Sequence, residues 1–136
     1  MDGYTLRNAA KGLVTCGDRV LLTAERHADG SLFWTLPGGG VESGETFRDC
    51  LRRELFEEIR CRVDTGQYVT TVLYHHRSRR RTVSRYAVFD CSLRSGLSAN
   101  PTDGIDEYAL FDPSDLPART LPQIRQVIQT ASGSEG

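Results

Sequence analysis

The stretch from Gly39 to Glu58, GGVESGETFRDCLRRELFEE, constrains this chain more than any other part of it. It reads as a glycine turn carrying Glu42 and Glu45, followed by a helix that ends in a dense group of carboxylates. Thr46 can cap the first helical turn, and Asp49, three residues later, completes a Thr-x-x-Asp capping box. Phe47, Cys50, Leu51 and Leu55, with Ile59 at the end, recur at helical spacing and give the helix an apolar face to bury. At about 100° per residue, Glu54, Glu57 and Glu58 fall in one sector, because residues three and four apart are helix neighbours. Three like charges held that close repel one another and add nothing obvious to a fold.

Two accounts of that sector compete. A solvated acidic face laced by Arg48, Arg52 and Arg53 needs no ligand. A hard divalent cation would turn the repulsion into binding, since Mg2+ prefers oxygen ligands and reaches phosphate substrates through a few carboxylates plus retained waters.

The spacing separates the two. Gly39, five residues, Glu45, seven residues, then Arg53-Glu54-Leu55-Phe56-Glu57-Glu58 resembles the motif of the Nudix hydrolases, a family that cleaves nucleoside diphosphates linked to another group. Residues from Arg7 to Glu45, including the approach Trp34-Thr35-Leu36-Pro37-Gly38, also resemble the family's opening; the likeness weakens after about Thr71. The resemblance implies an α/β/α sandwich with a mixed β-sheet, in which the motif forms loop, helix and loop. It further implies Mg2+, with Mn2+ as a substitute. We assign Glu57 and Glu58 as principal metal ligands and Glu54 as a further ligand or the base that takes the water proton. By the resemblance, the backbone carbonyl of Gly38 joins the metal ligands, and Arg53 and Glu45 brace the loop beneath the catalytic group. One position departs from the family: Arg60 stands where glycine is usual, at a helix end that favours a left-handed backbone, and Cys61 follows in an aliphatic place.

The chain of 136 residues has no internal repeat and fits a single domain, which we set at residues 1–131 with a frayed tail from 132 to 136. A formal net charge of -1 argues against a general polyanion binder. No apolar run approaches a membrane span, and the opening residues do not form a secretory pattern, so cytoplasm is the default expectation. Cys16, Cys50, Cys61 and Cys91 are too scattered for a zinc or redox motif. Strands are expected over Thr5 to Thr15, Val20 to Thr23, Leu32 to Leu36, Val63 to Tyr74 and Thr82 to Leu93, with a final helix over Leu121 to Thr130.

Outside the motif, candidates rest on position. Asp103, Asp106 and Glu107 fall in a late loop of the kind from which some Nudix enzymes bring an extra carboxylate. Glu107 is preferred because it precedes the apolar segment Tyr108 to Phe111. The run Arg77-Ser78-Arg79-Arg80-Arg81 sits at a hairpin tip or strand end. Arg79 and Arg81, with Arg7 and Lys11 on one face of the first strand, are the substrate-binding candidates for phosphates. Nucleic acid is disfavoured, because the basic run is short and has no evident aromatic platform. The expected partner is a nucleotide-type small molecule, with no membrane contact and homodimerisation left open. The activity expected is metal-dependent hydrolysis of a diphosphate linkage; a non-catalytic module of the same fold and a metal-dependent phosphomonoesterase are the alternatives.

Overall fold

The computed structural model describes residues 3–60, 62–76, 80–93 and 107–132. Its elements are β1 (Thr5–Cys16), β2 (Arg19–Arg26), β3 (Leu32–Thr35), β4 (Gly38–Gly40), α1 (Phe47–Ile59), β5 (Val63–His75), β6 (Thr82–Leu93), β7 (Glu107–Phe111) and α2 (Pro122–Ser132). The seven strands form one sheet along the path β3-β2-β1-β6-β5, with β4 on β1 and β7 on β2. β1 and β6 run parallel and the other pairs antiparallel, so the sheet is mixed.

Alternation along the strands divides the apolar residues between two cores. Ala10, Val14, Leu21, Ala87, Phe89 and Cys91 face α1, which contributes Cys50, Leu51, Leu55 and Ile59. Ala9, Leu13, Val20, Leu22, Val72 and Val88 face α2, which contributes Ile124 and Ile128. One helix covers each face, giving the α/β/α sandwich. Leu55 is fully buried in the first core, where truncation to alanine would cost about 2–5 kcal/mol.

The site owes its position to a divergence. β1 and β2 pair only at Thr15↔Val20 and Cys16↔Arg19, where a turn through Gly17 joins them. Val20 also pairs with Phe111, and Thr23 with both Tyr108 and Thr35. β1 and β3 therefore take turns along one edge of β2, while β7 lines the other. The chain from Leu32 to Gly40 is wedged into the gap and ends on β1. The three-glycine strand β4 has no counterpart among the elements expected from sequence, since glycines carry no strand pattern. Helix α2 runs through Ser132, whose hydroxyl donates to the Ile128 carbonyl at 2.9 Å. Ser132 thus belongs to the helix and not to a tail; residues 133–136 lie outside those described.

Candidate active site

Strand β4 lies on β1 in the register Ala9↔Gly40, Ala10↔Gly39 and Lys11↔Gly38. A side chain on either of its first two residues would meet a neighbour. A Cβ on Gly38, whose φ is 140°, would overlap the Ala10 carbonyl oxygen, and one on Gly39 would overlap the Glu54 carboxylate. Helix α1 uses that room to dock its acids against main chain. Glu58 Oε1 accepts a hydrogen bond from the Gly38 amide at 2.9 Å. Lower on the same helix the Cys50 thiol donates to the carbonyls of Gly39 at 3.3 Å and Gly40 at 3.4 Å.

Local signals in the sequence fix the helix at both ends. Thr46 accepts from the Asp49 amide at 3.0 Å, so the cap forms as read. At the other end Arg60 adopts φ 54 and ψ 32, the left-handed conformation that glycine usually supplies, and its amide bonds to the Phe56 carbonyl.

Arg53 gathers the carboxylates. Its Nε and Nη2 donate to the two oxygens of Glu45 at 2.6 and 2.9 Å, and its Nη1 reaches Glu54 at 2.9 Å and Glu57 at 3.2 Å. A further bond from Nη2 to the Gly40 carbonyl at 3.2 Å ties the helix to the loop. The Arg53 hydrogen bonds, with one from the Glu42 amide, hold the Glu45 carboxyl down at about 2. The same Glu45 bonds raise Arg53 above its ordinary value.

A buried acid and a buried base lie at the inner end. Glu58 is 8% exposed and Lys11 5% exposed. Burial pushes the Glu58 carboxyl up to about 8; the Lys11 charge opposes this, while Glu25 and Glu54 reinforce it. Burial by itself would lower Lys11, but the charges of Glu25, Tyr86, Glu58 and Glu54 outweigh it and hold the amine above its ordinary value. Lys11 Nζ also stands 4.9 Å from the centroid of the Tyr86 ring.

Among the described residues, no three acidic, imidazole or thiol groups converge closely enough to enclose a metal ion. The donors that do line β4 are carboxylate oxygens on α1 and main-chain carbonyls. That set suits a hard cation and not a soft one, since the nearby thiol of Cys50 is turned onto carbonyl groups.

The family profile of the NUDIX domain matches residues 5–131. The chain belongs to the Nudix family. Over 95 residues it is 34% identical to the nucleoside triphosphatase NudI of Escherichia coli O139:H28, a match covering 61% of this chain and 64% of that protein. It thus spans just under two thirds of this curated relative's length. An RNA pyrophosphohydrolase of Bartonella bacilliformis is 40% identical over 48 residues, covering 35% of this chain and 28% of that one. Among solved structures, the MutT protein of Methanosarcina mazei Go1 superposes with a TM-score of 0.81 at 16% identity, covering 97% of this chain and 96% of the other. At that identity the likeness shows the fold.

Within this Nudix domain, the motif residues Gly38, Arg53, Glu54, Glu57 and Glu58 come together as the spacing requires. Glu57 is the outermost of the three helix acids, 58% exposed on its side chain. The first-strand candidates divide. Lys11 is buried at the β1 position paired with Gly38, whereas Arg7 is exposed and has Nη2 near Gly40 of the Nudix loop. Arg81 lies at the β5–β6 turn with φ 56, at the outer end of the sheet, and its carbonyl accepts from the Thr5 amide. Arg79, Cys61, Asp103 and Asp106 lie outside the described residues. Glu107 is the first residue of β7, opposite Ala24, and not part of a loop; its side chain is not among those described. Sequence reading missed Glu25, whose charge acts on both Lys11 and Glu58. Its one signal was parity: it alternates with Thr23 and Leu21, the β2 residues turned toward α1.

Proposed function

We propose that this Nudix protein hydrolyses a diphosphate linkage in a nucleoside triphosphate or a nucleoside diphosphate joined to another group, and that it requires Mg2+ or Mn2+. The observation that carries the reading is the docking of Glu54 and Glu58 on Gly39 and Gly38, with Arg53 holding Glu54 and Glu57 from the opposite side. Glu57 and Glu58, with the Gly38 carbonyl, would hold the cation, which when bound neutralises phosphate charge and makes water easier to deprotonate.

The chain's own groups do the rest. Arg53 fixes the carboxylates so that they need not reorganise when substrate arrives. Glu54, set against the Gly39 backbone, takes the proton of the attacking water as it bonds to phosphorus; the phosphorus–oxygen bond to the leaving group breaks. Lys11 supplies positive potential at the inner end of the site, and Arg7 at the loop rim. The activities of the two curated relatives, nucleoside triphosphatase and RNA pyrophosphohydrolase, support a phosphate-chain hydrolase.

The test is product mass and phosphate release over a panel of nucleoside triphosphates, nucleotide sugars and dinucleoside polyphosphates, comparing chelator-stripped protein with and without added Mg2+. Turnover only with the cation, and products split within the phosphate chain, are expected. Folded, cation-loaded protein that cleaves nothing on the panel would leave a binding module in place of an enzyme.

A further inference from the structure

From Thr65 to Phe89 the sequence contains five arginines and two histidines and no carboxylate, in a chain whose net charge is -1. The acids lie elsewhere, six of the eighteen in the Nudix loop and helix. The fold turns this bias into a surface. Leu6, Val83 and His75 form one cross-strand row on β1, β6 and β5, and Asn8, Arg85 and Leu73 form the next. Two positions further along, Ala10 and Ala87 lie in the core beneath α1. The rows therefore continue the α1 face of the sheet beyond the helix, with Leu6, Leu73 and His75 exposed.

That extension carries exposed apolar side chains beside Arg85. Tyr4 is 68%, Leu6 53% and Leu73 52% exposed, and Tyr4 meets the His75 ring edge-on at 6.3 Å. Arg85 is anchored on the sheet by a bond from Nε to the Asn8 side-chain oxygen at 3.0 Å, and Arg80 is exposed at the end of the β5–β6 hairpin. The rows lead straight into the site, because the Val41 amide of the Nudix loop donates to the Asn8 carbonyl at 2.9 Å.

We propose that this face binds a single-stranded oligonucleotide whose 5′-phosphate end reaches the Nudix helix. Bases need flat apolar or aromatic surface and the backbone needs arginines, and the two alternate here within a few residues. In sequence the arginine run has no aromatic platform, which is why nucleic acid is disfavoured at that level. Tyr4 supplies one exposed aromatic ring and Leu6 apolar surface beside it, from the far end of the chain, which only the parallel pairing of β1 with β6 reveals. The choice of the phosphorylated end rests on the hydrolytic reading of the Nudix helix; the binding itself does not.

Fluorescence anisotropy of a 12-mer RNA carrying a 5′-triphosphate and a 3′-fluorescein, in chelator so that nothing is cut, tests the proposal. Arg85→Ala together with Arg80→Ala should weaken binding about tenfold and flatten the dependence of log affinity on log salt by about 0.7 for each phosphate that is no longer neutralised. Tyr4→Ala and Leu73→Ser should each weaken it about fivefold or more at unchanged melting temperature, as the removal of a base-stacking surface requires. A duplex of the same sequence and a polyglutamate peptide should compete poorly. Absence of binding, indifference to Tyr4 and Leu73, or equal competition by duplex or peptide would each overturn it. Loss of RNA binding with nucleotide hydrolysis intact would sink this proposal alone, whereas binding without any hydrolysis would sink the enzymatic reading alone.

Discussion

The carboxylate of Glu58 and the main-chain amide of Gly38, twenty residues apart in sequence, are joined by a buried hydrogen bond of 2.9 Å. That bond anchors the inner turn of α1 to the strand that carries the motif glycines. It also keeps an acid where water barely reaches.

A pH dependence follows for the cation-free protein. Burial raises Glu58 from an ordinary 4.5 to about 8, so between these values the folded state holds a proton that the unfolded state has released. Folded protein then binds more protons, and stability falls as pH rises through this window. Thermal melts in chelator should show a midpoint declining from pH 4.5 to about 8. Glu58→Gln retains an oxygen for the Gly38 amide, so the decline should vanish while Mg2+-dependent turnover drops by about a hundredfold or more. A wild-type midpoint that is flat across the window would refute the burial argument.

The opposite sign holds for Glu45. Its carboxyl is held at about 2, chiefly by hydrogen bonds from Arg53, so the contribution is present above about 4.5 and lost as pH falls toward 2. Glu45→Gln should remove that acid-side loss, and Arg53→Lys, which cannot form the paired bonds, should reduce it as well. Circular dichroism melts at intervals below pH 5 decide the matter; identical acid limbs in the three proteins would refute it.

Two neighbouring glycines should fail differently. Gly38→Ala places a methyl group against the Ala10 carbonyl at φ 140°, and should destabilise the fold by about 1–3 kcal/mol. Gly39→Ala meets the Glu54 carboxylate, a side chain that can move aside. Its melting temperature should change less, while kcat falls about a hundredfold through misplacement of Glu54. Denaturant titration alongside steady-state kinetics separates the two, and equal losses of both quantities in both variants would contradict the distinction.

Arg60 offers a gain. It holds φ 54 at the end of α1, a conformation costing about 1 kcal/mol or more for a residue with a Cβ, offset slightly by its contact with the Phe56 ring at 5.7 Å. Arg60→Gly should raise stability by about 0.5–1 kcal/mol with kcat unchanged. A lower melting temperature would show that the arginine contributes more than the glycine relieves.

Legibility of the sequence varied with the range of the interactions. The Thr46 cap and the apolar stripe of α1 depend on residues within a few turns of one another and stood in the sequence as the structure has it, whereas the Glu45–Arg53 brace was implied by the resemblance to the family motif. β6 was read at its true limits, although Tyr86 to Phe89 are buried on both faces and its alternation is interrupted there. β4 escaped because three glycines have no period to detect, and the wedging of residues 32 to 40 between β1 and β2 depends on pairings distant in the chain. Lys11 was a phosphate-binding candidate, and only the structure shows it buried, opposite Gly38. Glu25 and Tyr4 escaped for the same reason: each gains its meaning from a neighbouring strand.

β1 pairs with β6 along eleven positions, with β4 along three and with β2 at its end. One twelve-residue strand therefore underlies both the glycine loop of the site and the open arginine-bearing rows. Alternate amides of this strand serve opposite neighbours, as the Gly12 amide serves the Pro37 carbonyl on the loop side. If the shared strand opens as a single cooperative unit, the amides facing the loop and those facing β6 should exchange at one common rate, and thermal wear on one region would show as simultaneous loss in the other.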